Sequence, residues 1–304
     1  MKILVLGAGG IGGYFGARLA AAGQDVTFLV RPARAERLAE HGLVVRSPLG
    51  DCILPKIHFV TKAEQSADLI LLACKAYDLA SAMEAITPAV GPGSLILPLL
   101  NGLRHMDDLD AHFGQDRVLG GSCHIGVTLN EAGEILHLNS LQRFILGART
   151  PHQQAEAAHA ALLPGGFGPV LSPDITQTMW DKFAFLTAYA GITCLMRASI
   201  GAIAATRNGA AIALALFDEC AAVAKASGHP LGQDFADSSR AMMTDVKSSG
   251  TASMLRDLQH GARTEHEHIL GDMLNRAEKL AVATPVLKIA HAHLQAYCIL
   301  TQAP

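Results

Sequence analysis

Charge is scarce in this 304-residue chain and neither sign dominates: 17% of residues are charged, with 24 Lys plus Arg against 27 Asp plus Glu. A nucleic-acid-binding surface needs a basic excess that answers the phosphates, so that class of partner is excluded. The six cysteines, at 52, 74, 123, 194, 220 and 298, lie far apart and include no Cys-x-x-Cys pair. Neither a zinc knuckle nor a disulfide framework is expected, and a reducing cytoplasm fits. The longest charge-free run, residues 85–103, reaches a nominal membrane-spanning length but holds Pro88, Pro92, Pro98, Gly91, Gly93 and Gly102. A spanning helix does not tolerate that many breakers, so no membrane partner is expected.

What is present falls into two parts. Of 29 glycines, 21 lie in residues 1–172 and 8 after them, and ten of the 13 prolines lie at or before Pro173. At about 150 residues per domain the length predicts two domains. The densest cluster of breakers, residues 164–173, places the linker near 165–173, giving a first domain over 1–168 and a second over 169–304. In the first, apolar runs at 2–6, 26–30, 69–73, 94–97 and 118–121 alternate with stretches of helical length at 11–22, 33–41 and 78–86. Strands buried on both faces read this way, which predicts a doubly wound parallel sheet. Segments 122–129, 134–138 and 143–146 lack helices between them and read as antiparallel additions, with a last short strand at 170–171. Segments 176–196, 209–227, 235–247, 262–282 and 286–300 predict an all-α second domain.

The first strand runs into Gly7-Ala8-Gly9-Gly10-Ile11-Gly12, which matches Gly-x-Gly-x-x-Gly. Here the match follows a strand, opens a helix and precedes a second strand, the context a dinucleotide site requires. The first glycine permits the tight turn, the second lets a pyrophosphate approach, and the third packs helix on strand. The helix N-terminus adds unpaired N–H groups and a positive dipole end. After the second strand, where an NAD enzyme usually carries Asp or Glu, this chain has Arg31, with Arg34 and Arg37 beyond. A guanidinium grips a 2'-phosphate that a carboxylate repels, so NADP(H) is expected; Arg34 and Arg37 read as an exposed helix face. Lys75 and Asn101 follow later strands, at the carboxyl edge where such sheets bind ligands.

These residues, with Cys74-Lys75-Ala76, Asn101-Gly102, Trp180-Asp181-Lys182, Ser253-Met254-Leu255-Arg256-Asp257 and Arg263-Thr264-Glu265, make the chain resemble the ketopantoate reductase (2-dehydropantoate 2-reductase) family over nearly its whole length. The resemblance implies an N-terminal Rossmann-type domain plus a C-terminal all-α domain. It also implies NADPH as cofactor and a branched 2-oxo acid as substrate, within pantothenate biosynthesis. By resemblance Lys182 is the catalytic acid, Glu265 its carboxylate partner and substrate orienter, and Ser253 a substrate contact. Asn101 and Lys75 then line the nicotinamide and substrate pocket. A Lys ammonium suits this chemistry: it bonds the carbonyl, stabilises the developing alkoxide and delivers the proton. Purely structural roles stand beside these, an interdomain ion pair for Lys182 and Glu265 and a helix N-cap for Ser253.

One departure concerns the substrate. The family's best-known members carry asparagines four and eight residues after the lysine, and this chain has Leu186 and Ala190 there. That favours a more apolar 2-oxo acid or broader specificity. Two other readings keep the fingerprint: an NADPH-binding sensor without turnover, and an NADP-dependent 3-hydroxy acid dehydrogenase, whose Gly-x-x-Gly-x-x-x-Lys helix is not found. No metal is expected, because His266 and His268 are two residues apart on a helix and point away from each other. Charge-poor faces at 183–196 and 210–217 are compatible with a homodimer and equally with burial inside one chain.

Overall fold

The computed structural model describes residues 1–302 and divides into two compact units. One comprises Met1–Leu100 and His105–Thr176; the other comprises Asn101–Arg104 and the chain from Gln177 onward. In chain order the first unit builds β1 (Ile3–Leu6), α1 (Gly10–Ala21), β2 (Val26–Leu29), α2 (Pro32–His41), β3 (Leu43–Arg46), β4 (Cys52–Leu54), β5 (His58–Val60), β6 (Ala67–Leu72), α3 (Leu79–Ile86) and β7 (Val90–Pro98). It continues through α4 (Arg104–Phe113), β8 (Gly120–Leu129), β9 (Ile135–Gly147), α5 (Ala155–Leu162) and β10 (Val170–Leu171).

The main sheet has the order β5-β2-β1-β6-β7 and every pair is parallel. Its central strands are apolar throughout because both faces are covered: Leu69, Ile70, Leu71 and Leu72 have no solvent exposure. Leu6 stands beside Leu29 and Leu72, and Leu72 beside Pro98, so the carboxyl ends of the four strands finish level. A second sheet has the order β10-β9-β3-β4, with β8 antiparallel on β9. The antiparallel additions and the short last strand are therefore present. The expected parallel strand at 118–121 is not: Val118 makes one parallel bridge to Ile96, and the chain then crosses into the second sheet. Gly121 permits the crossing, since a side chain there would fall on the Pro98 carbonyl.

The second unit is helical: α6 (Ile175–Met196), α7 (Ile200–Ala204), α8 (Gly209–Ala226), α9 (Gln233–Thr244), α10 (Ser253–Gln259), a π turn over Glu267–Gly271, α11 (Asp272–Lys279) and α12 (Pro285–Gln302). Around Gly191 in α6 the elements converge: a methyl there would stand 3.0 Å from Leu216 of α8, 3.6 Å from Leu270 and 3.7 Å from Ala290 of α12. Phe183, Ala184, Ala188, Ile192, Leu216 and Phe217 are all buried, so the charge-poor faces are used in packing within the chain. Glu219 of α8 accepts from the Val286 and Leu287 amides at 2.9 Å each, capping α12 behind Pro285. The helix expected over 262–282 starts later, because Gly261 in the left-handed region ends α10 and the next helical residue is His266. No helix of the described residues is long and apolar enough to cross a membrane.

Candidate active site

The fingerprint turn has the geometry its glycines require. Gly7 sits at φ +90°, in the region that favours glycine. A side chain on Gly12 would fall on the Gly7 carbonyl oxygen and lie 3.0 Å from Ala73 at the end of β6. The middle glycine, Gly9, faces open space, which leaves room for a ligand to approach the backbone. Helix α1 begins at Gly10 with no side-chain cap and no acidic residue in its first turn. Its leading N–H groups and dipole end therefore suit an anion, and the loop fits a dinucleotide pyrophosphate.

Arg31 follows the end of β2, and its guanidinium lies 3.1 Å from the Asp78 carboxylate, with the Arg side chain 73% exposed. Arg37 is exposed as expected, but Arg34 is not. It donates to the Ala8 carbonyl at 3.1 Å and to the Gly133 carbonyl at 2.9 Å. Its Nη2 is buried without a hydrogen-bond partner among the described residues. Burial, and Arg37 beside it, lower its pKa. The β8–β9 hairpin loop, turning at Gly133 with φ +82°, thus braces the fingerprint through Arg34. Sequence offered no signal for this contact, because Gly133 is remote in the chain.

Lys75 and Asn101 stand beyond the level carboxyl ends of β6 and β7. Asn101 and Gly102 group with the helical unit, where Gly102, at φ +83°, passes so close to the His268 carbonyl that a Cβ would lie 2.8 Å from it. That carbonyl belongs to the turn opening at Glu265, since the His268 amide donates to the Glu265 carbonyl at 3.1 Å. The structure so brings the Asn101-Gly102 turn to the segment bearing Glu265.

Lys182 lies about two turns into α6 and is half-buried. Trp180, two residues earlier and so on the opposite side of the helix, is the anchor. It is buried, stacks on His229 at 5.1 Å, meets Phe183 edge-on at 5.8 Å, and has the Arg276 guanidinium 5.4 Å from its ring centroid. Asp272, itself buried, accepts from Arg276 Nε at 3.0 Å. These contacts fix the rotation of α6 and with it the side on which Lys182 emerges. Glu265 is buried, 8% exposed, immediately before the first helical residue. Ser253 is exposed at the first position of α10, where Ala252 is the N-cap and no side chain caps the helix. The N-cap reading of Ser253 is therefore corrected, and its hydroxyl is not committed to that role.

Sequence reasoning weighed His266 against His268. The structure groups His266 instead with Glu267 and with His291 of α12, one donor atom of each within 4.8 Å of the others. Burial holds the His266 imidazole below its ordinary value against the pull of Glu267. Burial raises Glu267, but its hydrogen bond from Gln295 and the neighbouring imidazoles outweigh this and leave it below the usual carboxylate range.

Comparison with known proteins adds to this geometry. Residues 3–151 match the family described as Ketopantoate reductase PanE/ApbA, and residues 174–298 match its C-terminal counterpart. The chain is 38% identical to the uncharacterized oxidoreductase YkpB of Bacillus subtilis strain 168, over 98% of this chain and 99% of that one. It is 28% identical to a 2-dehydropantoate 2-reductase of Halobacterium salinarum, over 95% and 96% of the two chains. A solved 2-dehydropantoate 2-reductase from Geobacter metallireducens superposes with a TM-score of 0.89 at 27% identity, over 97% and 99%. D-mandelate dehydrogenase, captured with NADH and anilino(oxo)acetate, also superposes at 0.89 over the whole of both chains, and at 21% identity this is a likeness of fold alone. By its family match and its relatives the protein is an oxidoreductase, built on a parallel sheet with a glycine turn and a helical unit. The chain belongs to the ketopantoate reductase family.

Proposed function

We propose that this protein reduces a 2-oxo acid with NADPH, with Lys182 as the proton donor. The observation that carries the reading is Lys182 held on α6 by its Trp180 anchor, in a chain whose other unit presents a phosphate-ready fingerprint. Gly7, Ala8, Gly9, Gly10, Ile11 and Gly12 would hold the cofactor's pyrophosphate, and Arg31 its 2'-phosphate. When bound, the nicotinamide supplies the hydride. The Lys182 ammonium hydrogen-bonds the substrate's carbonyl oxygen, stabilises the charge that develops there and gives up a proton to it. Glu265 orients that ammonium and favours its charged form. Ser253 and Asn101 contact the substrate, with Lys75 beside the cofactor.

Arg31 supports NADPH over NADH despite its pairing with Asp78. An exposed ion pair is worth roughly 0–1 kcal/mol, so a phosphate dianion can replace the carboxylate. D-mandelate dehydrogenase shares the fold and was captured with NADH, which leaves the choice of cofactor to residues such as Arg31. Leu186 and Ala190 favour a 2-oxo acid with an apolar tail, or tolerance for several. 2-Dehydropantoate is the first to try, and its product would feed pantothenate biosynthesis. No disulfide links the six cysteines, which suits the reducing cytoplasm.

The test is a steady-state assay of NADPH and of NADH against a panel of 2-oxo acids that includes 2-dehydropantoate. NADPH should be preferred, and Arg31→Ala should raise the KM for NADPH at least about tenfold, the loss of a charge-assisted contact, with little change for NADH. Equal use of both cofactors by wild type would sink the Arg31 assignment. Cofactor binding without turnover of any oxo acid would favour the sensor.

A further inference from the structure

We propose that His266, Glu267 and His291 form a binding site for a divalent transition metal of the zinc class. Glu267 Oε1 lies 3.3 Å from His266 Nε2 and 3.2 Å from His291 Nε2. Neighbouring ligand atoms around tetrahedral zinc, with bonds of about 2.0–2.1 Å, stand roughly 3.3 Å apart. Two of the three spacings therefore match a coordination sphere; all three donor atoms lie within 4.8 Å of one another, and a small shift of the imidazoles towards each other would complete it.

Three further features of the same place point to an ion. His291 Nε2 is buried, and it stands 3.2 Å from Glu267 Oε1. A metal lone-pair acceptor would satisfy this nitrogen. Gly271 keeps the space open: a Cβ there would lie 2.6 Å from Glu267 Oε2 and 3.2 Å from His291 Nε2. Glu267 through Gly271 also form a π turn, a local widening of the helix that recurs at functional sites.

The surroundings resemble an outer shell. Thr264 Oγ1 lies 2.8 Å from His266 Nδ1, which fixes the ring with Nε2 turned to Glu267. Gln295, one turn beyond His291 on the same face of α12, donates to Glu267 Oε1 at 2.9 Å and holds the carboxylate. Two imidazoles and one carboxylate suit zinc, and cobalt as its spectroscopic substitute, better than calcium or magnesium, which prefer oxygen alone. The Glu267 side chain is 51% exposed, which gives an ion a route in and leaves the fourth position to water. Bound there, the metal would tie the π turn to α12 directly behind Glu265.

The experiment strips the full-length protein with a chelator, removes the chelator, and titrates zinc chloride by calorimetry, with cobalt(II) as the optical probe. Wild type should bind one zinc per chain saturably and give the intense visible bands of four-coordinate cobalt. Glu267→Gln, which keeps the side chain's shape, and His291→Ala should each weaken binding by at least about a hundredfold, more than loss of an outer-shell partner costs. Circular dichroism checks that both variants fold, and the wild-type cobalt spectrum stands without them. Absence of saturable binding by wild type, or undiminished binding by either folded variant, overturns the proposal. Every readout is of metal, so failure of the reductase reading leaves this test intact.

Discussion

Gly12 shows how much one residue can decide. Its missing side chain is what lets α1 lie against the turn at Gly7 and against Ala73. Gly12→Ala should destabilise the protein by about 1–3 kcal/mol, the usual cost of overpacking, and abolish measurable NADPH binding. Chemical denaturation and a cofactor fluorescence titration check the two effects separately; a variant as stable and as tightly binding as wild type would contradict the packing argument. Residues whose role is local were legible in the sequence for this reason: the fingerprint's chemistry is contained in six consecutive positions. Arg34 was misread because its carbonyl partners, Ala8 and Gly133, come from two remote segments. The His266 group escaped a reading by sequence spacing because its third member, His291, lies on another helix.

Elements were legible where their pattern was long and unbroken. The apolar runs of β1, β2 and β6 and the helices α6, α8 and α12 lie close to where periodicity puts them. The strands β3, β4 and β5 and the helices α7 and α10 are too short for a period to announce them, and the strands are made by pairing with neighbours. The Trp180 anchor belongs to this scale, because it sets the rotation of a whole helix. Trp180→Ala should cost about 3–5 kcal/mol, as for a buried aromatic, and Trp180→Phe much less. If Lys182 acts as proposed, the Phe variant should lose kcat more than it gains in KM, which steady-state kinetics would read. An unchanged kcat in both variants would show that the anchor does not position the lysine.

The corner joining β3, β4 and β9 has an acid dependence of its own. Arg46 pairs with Asp51 at 2.9 Å and with Glu134 at 3.1 Å. The Arg46 hydrogen bond, with the Ser47 amide, lowers Asp51, and the Asn130 amide, with Arg46, lowers Glu134. Both carboxyls therefore bind protons less readily folded than unfolded. Their contribution is complete above the unfolded carboxylate range and is lost as pH falls through the lower folded values. Amide-exchange protection at residues 43–54, taken relative to the intrinsic rate at each pH, should fall on acidification, and Arg46→Met should flatten that dependence. An unchanged acid profile in the variant would remove Arg46 from the account.

At the scale of the molecule, the division of labour follows composition. The glycine- and proline-rich part makes turns at strand ends and so a nucleotide-ready sheet edge, while the helix-rich part makes the packed body that holds Lys182 and Glu265. What composition did not reveal is that Asn101–Arg104 belongs with the helical unit. That grouping depends on the close approach of Gly102 to the His268 carbonyl, a contact no local pattern encodes. The central claim is that Lys182 supplies the proton in 2-oxo acid reduction. It is tested most directly by rapid-mixing single turnovers of NADPH oxidation in wild type and Lys182→Ala, with the NADPH dissociation constant measured alongside. The account predicts an unchanged dissociation constant and a hydride-transfer rate lower by about 10²–10⁴, the contribution of a positioned general acid. A variant that turns over as fast as wild type would contradict it.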